Sequence, residues 1–381
     1  MWFVVVALST WLGMHLYVGW RVLQPTDRRW KWWVGGGMVV SLLTAPLTFA
    51  MLPYSGSAIP DLIQIVGYTT MGVFSVVWAF LLMRDVVWLA ARGVSLVVET
   101  PLSDPSRRDF FGRVFNGVAL GAAGIVSAAG VVGARLSAEV ETVEVQVPGL
   151  DERLDGFVIA QVSDIHVGPT VRRDLVQDIV DAVNALDADL VAVTGDLVDG
   201  SVERLAEHVE PLRQLKGRHG VFFCTGNHEY YSGVLPWLDK VRELGMVALV
   251  DEHVTVDHQG ATVVVAGVPD YSATRMEPSH ISDPTAAFEG APEGFRLLLA
   301  HQPRSFRGAV EAGAQLMLSG HTHAGQYLPF TWAIRLAQPF VEGLTLHEGM
   351  YIYVNRGTTW WGPPMRLGAP QEISRLILRK A

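Results

Sequence analysis

The stretch Leu318–Gln326 reads LSGHTHAGQ: two histidines one residue apart, set between glycines, at the end of a short apolar run. Two imidazoles spaced in this way converge on one spot only if the backbone bends tightly. Gly320 and Gly325 allow that bend and a close approach of the backbone. Imidazoles gathered at the end of a strand are suited to a divalent cation. The question is which other residues share the position.

Similar clusters follow other apolar runs. Phe157–Val162 precedes SDIHVG, with Asp164 and His166; Asp189–Val193 precedes TGDLVDG, with Asp196 and Asp199. Val221–Cys224 precedes TGNHEYY, with Asn227 and His228, and Phe295–Ala300 precedes His301. Further strands are predicted at Val140–Val147, Ala261–Gly267, Gln315–Leu318 and Met350–Val354, with helices at about Arg172–Leu186 and Val202–Leu215. Strands alternating with helices indicate an α/β layered domain, whose functional loops lie just beyond the strands. One aspartate after a strand is commonly a cap or turn residue, and one histidine is commonly structural. Several such loops bringing carboxylate, amide and imidazole groups to one sheet edge are hard to explain as caps. Asp164 and His166, at i and i+2, can face the same side. Asp199 has a second, compatible reading as a cap on the helix that starts near Val202.

Composition narrows the chemistry. Cys224 is the one cysteine of the chain, so intrachain disulfides and thiolate clusters are excluded and a metal must use His, Asp, Glu and Asn. Up to Arg135 there are 10 basic and 6 acidic residues; the remainder has 19 basic and 32 acidic. An acidic domain is a poor match for nucleic-acid phosphates and a good one for cations. No nucleic-acid binding is expected, and no protein partner is indicated.

The first 135 residues differ in kind. Apolar segments at roughly 2–20, 33–52, 62–83 and 114–134 approach or reach the length of helix that crosses a bilayer, and they lack a polar face. The alternative is four buried helices of a soluble domain. The loop after the first segment carries Arg21, Arg28, Arg29 and Lys31; the loop around 53–60 carries no Lys or Arg; the third carries Arg84, Arg92, Arg107, Arg108 and Arg113. Basic loops one and three are expected to face the cytoplasm, which would put everything after Arg135 outside it. Ser106–Phe111, SRRDFF, resembles an internal twin-arginine export signal, with two ordinary anchoring arginines as the other reading.

The ordered set Asp164/His166, Gly195-Asp196-Leu197-Val198-Asp199, Gly226-Asn227-His228-Glu229, His301 and Gly320-His321-Thr322-His323 resembles the calcineurin-like metallophosphoesterase superfamily over about residues 142–378. LDGFVIAQVSDIHVG, GHTHAGQ and the tail NRGTTWWGPPMRLGAPQEI, with Asn355, Arg356 and Gly357, resemble its membrane-associated bacterial branch. The resemblance implies a β-sandwich flanked by helices. It implies that Asp164, His166 and His323 hold one metal, that Asn227, His301 and His321 hold the other, and that Asp196 bridges them. It further implies in-line attack by water on phosphorus, with His228 protonating the leaving oxygen or stabilising the transition state and Asp199 orienting His228.

The expectation is therefore a multi-pass transmembrane region of about four helices (1–135), then a metallophosphoesterase domain (140–381). Its cofactors would be two divalent ions (Mn, Fe or Zn), and its substrate a phosphate ester, a diester rather than a monoester, lipid-linked or envelope-derived. A non-catalytic metal-binding receptor or scaffold, a phosphomonoesterase and a transporter with an accessory domain are the rivals. Against the transporter, Asp61 and Asp85 sit at the ends of spans. The aromatics Tyr230, Tyr231, Trp360 and Trp361 line a pocket, face headgroups or serve as core. The stretch 268–293 reads as a long loop or lid, with Arg275 and His280 solvated in it rather than touching phosphate.

Overall fold

The computed structural model describes residues 2–24, 26–51, 58–97 and 105–381. The expected loop at 53–60 falls in part outside the described residues, as do the side chains of Arg107 and Arg108. The chain divides into two compact units. One is built from the N-terminal helices, including Leu62–Val132, together with Gly362–Met365; the other is built from Gly133–Trp361 and Arg366–Ala381.

Among its described residues the first unit contains four apolar helices: α1 (Trp2–Leu23), α2 (Arg28–Met51), α3 (Ala58–Val97) and α4 (Pro105–Gly133). Among the described residues, Arg28–Met51, Ile59–Val94 and Gly112–Gly133 are long and apolar enough to cross a membrane. The expected third span is only part of a 40-residue helix. Arg84 and Arg92 therefore lie on α3 rather than in a loop, because no Pro or Gly cluster interrupts the apolar run before them. Asp85 joins α1 to α3: it accepts from Tyr17 Oη at 2.6 Å and Arg21 Nε at 2.8 Å and pairs with Arg84. The carboxylate is thus neutralised by its arginines.

The second unit is a sandwich of two six-stranded sheets. Its strands are β1 (Glu139–Val147), β2 (Val158–Val162), β3 (Leu190–Thr194), β4 (Val221–Cys224), β5 (Val247–Ala248), β6 (Glu252–His258), β7 (Ala261–Gly267), β8 (Phe295–Leu299), β9 (Leu316–Ser319), β10 (Gly343–His347), β11 (Met350–Val354) and β12 (Glu372–Lys380). One sheet has the order β1-β12-β2-β3-β4-β5 and the other β10-β11-β9-β8-β7-β6. The helices α5 (Arg173–Asn184), α6 (Val202–Val209), α7 (Asn227–Ser232) and α8 (Val234–Glu243) follow β2 to β4. The short helices α9 (Pro284–Ala287), α10 (Phe306–Glu311) and α11 (Phe330–Ala333) belong to the second half. The expected helix at 202–215 ends at Val209 and tightens into a 3₁₀ turn over Glu210–Gln214, where Pro211 cannot donate to an α-helical ladder.

Strand periodicity explains the layering. In β3, Leu190 and Ala192 face the inter-sheet core, while Val191 and Val193 face the helix layer. Both faces are covered, so the strand reads as a continuous apolar run. Leu297 and Leu299 of β8 meet the inter-sheet core, and Leu298 packs outward with Ala287 and Ala309. The parallel run β2-β3-β4 and the parallel run β7-β8-β9-β11 place their carboxyl ends at the edges where the polar loops emerge. Trp237 of α8 is fully buried and its Nε1–H donates to Gly200 O at 2.9 Å, next to Asp199. Trp237→Ala is expected to cost about 3–5 kcal/mol, lowering the thermal midpoint of the detergent-solubilised chain by roughly 10 °C.

Candidate metal centre

Each strand end delivers its residues at a fixed place. Asp164 and His166 follow β2, Asp196 follows β3, Asn227 follows β4, His301 follows β8, and His321 and His323 follow β9. The structure brings them together. His166 Nε2 and His323 Nε2 are 3.1 Å apart, and Asp164 Oδ1 lies 3.9 Å from the first and 3.4 Å from the second. Asp196 Oδ2 lies 3.8 Å from His166 Nε2 and 3.1 Å from His301 Nε2. The ligand-type atoms of Asp164, His166 and His323 lie within 4.8 Å of one another, as do those of Asp196, His301 and His321. Asp196 thus stands between two clusters.

The backbone reason for the convergence of Asp164 and His166 differs from a simple strand alternation. Both have φ in the left-handed region, at 56° and 50°, as do Asp196 (54°), His321 (70°) and His323 (47°). Left-handed backbone is strained for residues other than glycine, and its concentration in one set of loops marks a site rather than a scaffold. Gly320 is needed for a close approach: a Cβ there would meet Ser163 Oγ at 2.0 Å and Asp164 Oδ2 at 2.2 Å.

Supporting groups hold this frame. Asp199 Oδ1 lies 2.5 Å from His228 Nδ1 and 3.1 Å from His166 Nδ1, so one carboxylate orients two imidazoles. It makes no cap bond to α6, whose N-cap is Ser201. His301 donates through Nδ1 to Thr194 O at 2.8 Å, which turns Nε2 toward Asp196. Asp164 accepts His321 N–H, and Asp196 Oδ1 accepts His228 N–H at 2.9 Å.

Sequence reasoning left two supports without a role. Glu229, in the GNHE motif, accepts backbone N–H bonds from Asp196 (3.0 Å), Leu197 (2.7 Å) and Gly226 (2.7 Å), tying two site loops together. Glu229→Gln replaces an acceptor with a donor facing those N–H groups. It is expected to cost about 2 kcal/mol and weaken metal retention, checked by thermal midpoint and metal analysis of the purified chain. Arg366 is buried behind His323 and donates to the carbonyls of His323 (3.1 Å), Arg356 (2.9 Å) and Gly357 (3.3 Å). Burial pushes its guanidinium down to about 9, so it keeps its charge at neutral pH. The arginine in a proline- and glycine-rich tail was legible only as part of a motif.

The residues fit divalent cations. Asn227 Oδ1 and His301 Nε2 are buried and make no hydrogen bond, an arrangement that burial penalises unless something else occupies the lone pairs. Burial disfavours a charge on His301, but the Asp196 carboxylate outweighs it and holds the imidazole pKa well above its ordinary value. The proton that Asp196 holds on His301 Nε2, 3.1 Å away, stands where a cation would: a bound cation displaces it and takes the Nε2 lone pair. Burial and the His301 charge push His321 down to about 4, and burial, Arg366 and His166 hold His323 low, which keeps both in the neutral form that ligates metals.

The family profile for calcineurin-like phosphoesterase matches residues 157–325. A Bos taurus protein described as "Transmembrane protein with metallophosphoesterase domain" is 36% identical over 342 residues, covering 84% of this chain and 75% of that protein. The chain belongs to the calcineurin-like phosphoesterase family. A Danio rerio protein of the same description is 40% identical over 266 residues, 68% of this chain and 61% of that protein. An uncharacterized metallophosphoesterase of Helicobacter pylori is 39% identical over 231 residues, 60% of this chain and 61% of that protein. The chain therefore spans about three fifths of the length of the last two relatives.

In this calcineurin-like chain the four aromatics divide. Tyr230 is buried and its hydroxyl bonds His280 Nδ1 at 2.7 Å; Trp360 is buried and donates to Thr170 Oγ1 at 3.0 Å. Tyr231 and Trp361 are exposed. His280, expected in a solvated loop, is instead buried against Tyr230, whereas Arg275 is exposed. The 268–293 stretch carries a 3₁₀ turn at Ala273–Arg275 as well as α9. A separate trio, Asp189, His219 and His258, also gathers ligand-type atoms. There Asp189 is already taken by Arg218 Nη1 at 2.5 Å and Val158 N–H at 2.9 Å, so it serves the fold.

Proposed function

We propose that this chain hydrolyses phosphate esters, diesters in preference to monoesters, at a pair of divalent cations. The observation that carries this reading is Asp196: its carboxylate stands between two groups of ligand-type side chains, with His301 Nε2 3.1 Å away, and it accepts the N–H of His228, the residue after Asn227, whose buried Oδ1 is unbonded. Asp164, His166 and His323 would hold one ion, Asn227, His301 and His321 the other, with Asp196 shared. When bound, the ions neutralise charge on phosphoryl oxygens and make water a nucleophile near neutral pH. Mn²⁺, Fe and Zn²⁺ all suit imidazole and carboxylate donors.

The remaining residues supply the proton chemistry. Burial alone lowers the His228 pKa, but the charges of Asp196 and Asp199 and the bond to Asp199 raise it to about 9. His228 therefore holds a proton on a ring oriented by Asp199, the arrangement a general acid needs beside a leaving oxygen. The protonated ring also places positive charge where phosphoryl charge develops.

The helices of residues 1–135 act as a multi-pass membrane anchor for a catalytic domain of about 140–381. Basic residues at the adjoining ends of α1 and α2 (Arg21, Arg28, Arg29, Lys31), and towards the C-terminal end of α3 and the N-terminal end of α4 (Arg84, Arg92, Arg107, Arg108, Arg113), support a domain outside the cytoplasm, within reach of a lipid-linked or envelope phosphate ester. A periplasmic-type reporter fused after Ala381 is expected to be active there; a reporter active only in the cytoplasm would reverse the topology.

The activity test is hydrolysis of bis(4-nitrophenyl) phosphate and 4-nitrophenyl phosphate by metal-stripped chain resupplied with Mn²⁺, Zn²⁺ or Fe²⁺. Metal-dependent turnover, faster on the diester, is expected. Metal uptake without turnover on either ester would favour the non-catalytic scaffold.

A further inference from the structure

The two exposed aromatics are not scattered on the surface. Tyr231 and Trp361 both stand edge-to-face against the His228 ring, with centroids at 5.2 Å and 5.6 Å and interplanar angles of 70° and 72°. Yet Tyr231 is 65% exposed and Trp361 39% exposed, so each keeps much of its apolar surface in water beside the proposed acid. Their sequence neighbours Tyr230 and Trp360 are buried with their polar atoms bonded. One member of each pair builds the core, and the other faces outward at His228.

Trp361 is also held in place. The side-chain amide of Gln326 accepts Trp361 N–H at 2.9 Å and donates to Trp361 O at 3.1 Å. Gln326 is itself buried, has φ of 64°, and lies three residues beyond His323 in GHTHAGQ. One amide thus fixes both backbone groups of an exposed tryptophan to the loop that carries two proposed metal ligands. Tyr231 is tied to the site as well: it lies on the short helix α7 that begins with Asn227 and His228. Exposing large apolar rings to water is unfavourable, and rings held rigidly beside reacting groups are suited to an apolar ligand.

We infer that Trp361 and Tyr231 form the subsite for the leaving alcohol, and that this alcohol carries an apolar body the size of a ring or a short acyl chain. The inference rests on the proposed hydrolysis, with His228 as the acid. Water adds its oxygen to phosphorus and gives up one proton to solvent, the bond from phosphorus to the alcohol oxygen breaks, and that oxygen leaves with a proton from His228, which solvent then restores. The group attached to the leaving oxygen must then lie beside His228, where the two rings are. Small polar alcohols gain nothing from those rings.

The test uses full-length, metal-loaded chain and three methylphosphonate monoesters, diester mimics with a single leaving alcohol: propyl, hexyl and 2-phenylethyl. The alcohols leave with similar intrinsic ease, so differences report the subsite. The wild-type chain is expected to favour the 2-phenylethyl or hexyl ester over propyl by about tenfold in kcat/KM, chiefly through KM. A preference for 2-phenylethyl alone indicates a ring; equal preference for hexyl indicates a chain. Trp361→Ala should bring the ratio within about twofold of unity with metal content unchanged, Tyr231→Ala should lower it partly, and Trp361→Phe should retain most of it. A wild-type ratio near one, or a ratio that survives Trp361→Ala, overturns the inference. If no ester turns over, calorimetric binding of the same esters decides. Selective binding of the apolar esters that Trp361→Ala removes sustains the subsite while the hydrolase reading falls. Equal binding of all three overturns the subsite.

Discussion

Asp196→Asn is expected to lower kcat/KM on a phosphodiester by about a thousandfold or more and to reduce the metal content of the purified chain. Asp196 Oδ2 is 3.1 Å from His301 Nε2, 3.8 Å from His166 Nε2 and 3.9 Å from His228 Nε2. It faces both ligand groups and the proposed acid, so loss of its charge weakens all three at once. Asparagine keeps the shape and can still accept the His228 N–H that Oδ1 now takes at 2.9 Å. The fold should therefore survive, with a thermal midpoint within a few degrees of wild type once both proteins are stripped of metal. Metal analysis and steady-state kinetics on the same preparation check the result. Full metal content with near-normal turnover would remove Asp196 from the centre.

His228→Ala is expected to lower turnover by about a hundred- to ten-thousandfold on esters of ordinary alcohols while leaving metal content intact. Esters of 4-nitrophenol, which leaves without a proton, should lose much less. That contrast separates a general acid from a structural histidine. Asp199→Asn should do more than mimic this loss. Its carboxylate lies 2.5 Å from His228 Nδ1 and 3.1 Å from His166 Nδ1, so the variant should lose both acid orientation and part of its metal. The double variant His228→Ala/Asp199→Asn should show far less than the summed losses, because the two residues act together. Strict additivity in log kcat/KM would contradict a shared role.

Much of the site was legible because its chemistry is tied to punctuation in the chain. Short apolar runs end in Asp, His or Asn, and a parallel sheet puts those ends at one edge. The sandwich was harder to read. The strand β12 (EISRLILRK) slots between β1 and β2, parallel to the first and antiparallel to the second. A strand so remote in the chain has no local signal for its neighbours. The strands β6 and β10 sit at the edge of their sheet and were not expected, since edge strands carry mixed polar sequence. The convergence of Asp164 and His166 was anticipated for the wrong reason, because left-handed φ leaves little mark in sequence apart from glycine. The second contact of Asp199, the three N–H bonds to Glu229 and the carbonyl cradle of Arg366 come from loops brought together only by folding. In the helical unit, hydropathy located the apolar helices but not their ends, so the long α3 absorbed two arginines expected in a loop.

The central claim is that two cations share Asp196 and that hydrolysis needs both. The most direct measurement is a titration of metal-stripped, full-length chain with Mn²⁺, following bound metal and hydrolysis of bis(4-nitrophenyl) phosphate on the same samples. Binding should saturate at two ions per chain, with turnover appearing mainly as the second site fills. Turnover that saturates at one ion per chain, or two bound ions without hydrolysis, would contradict the account.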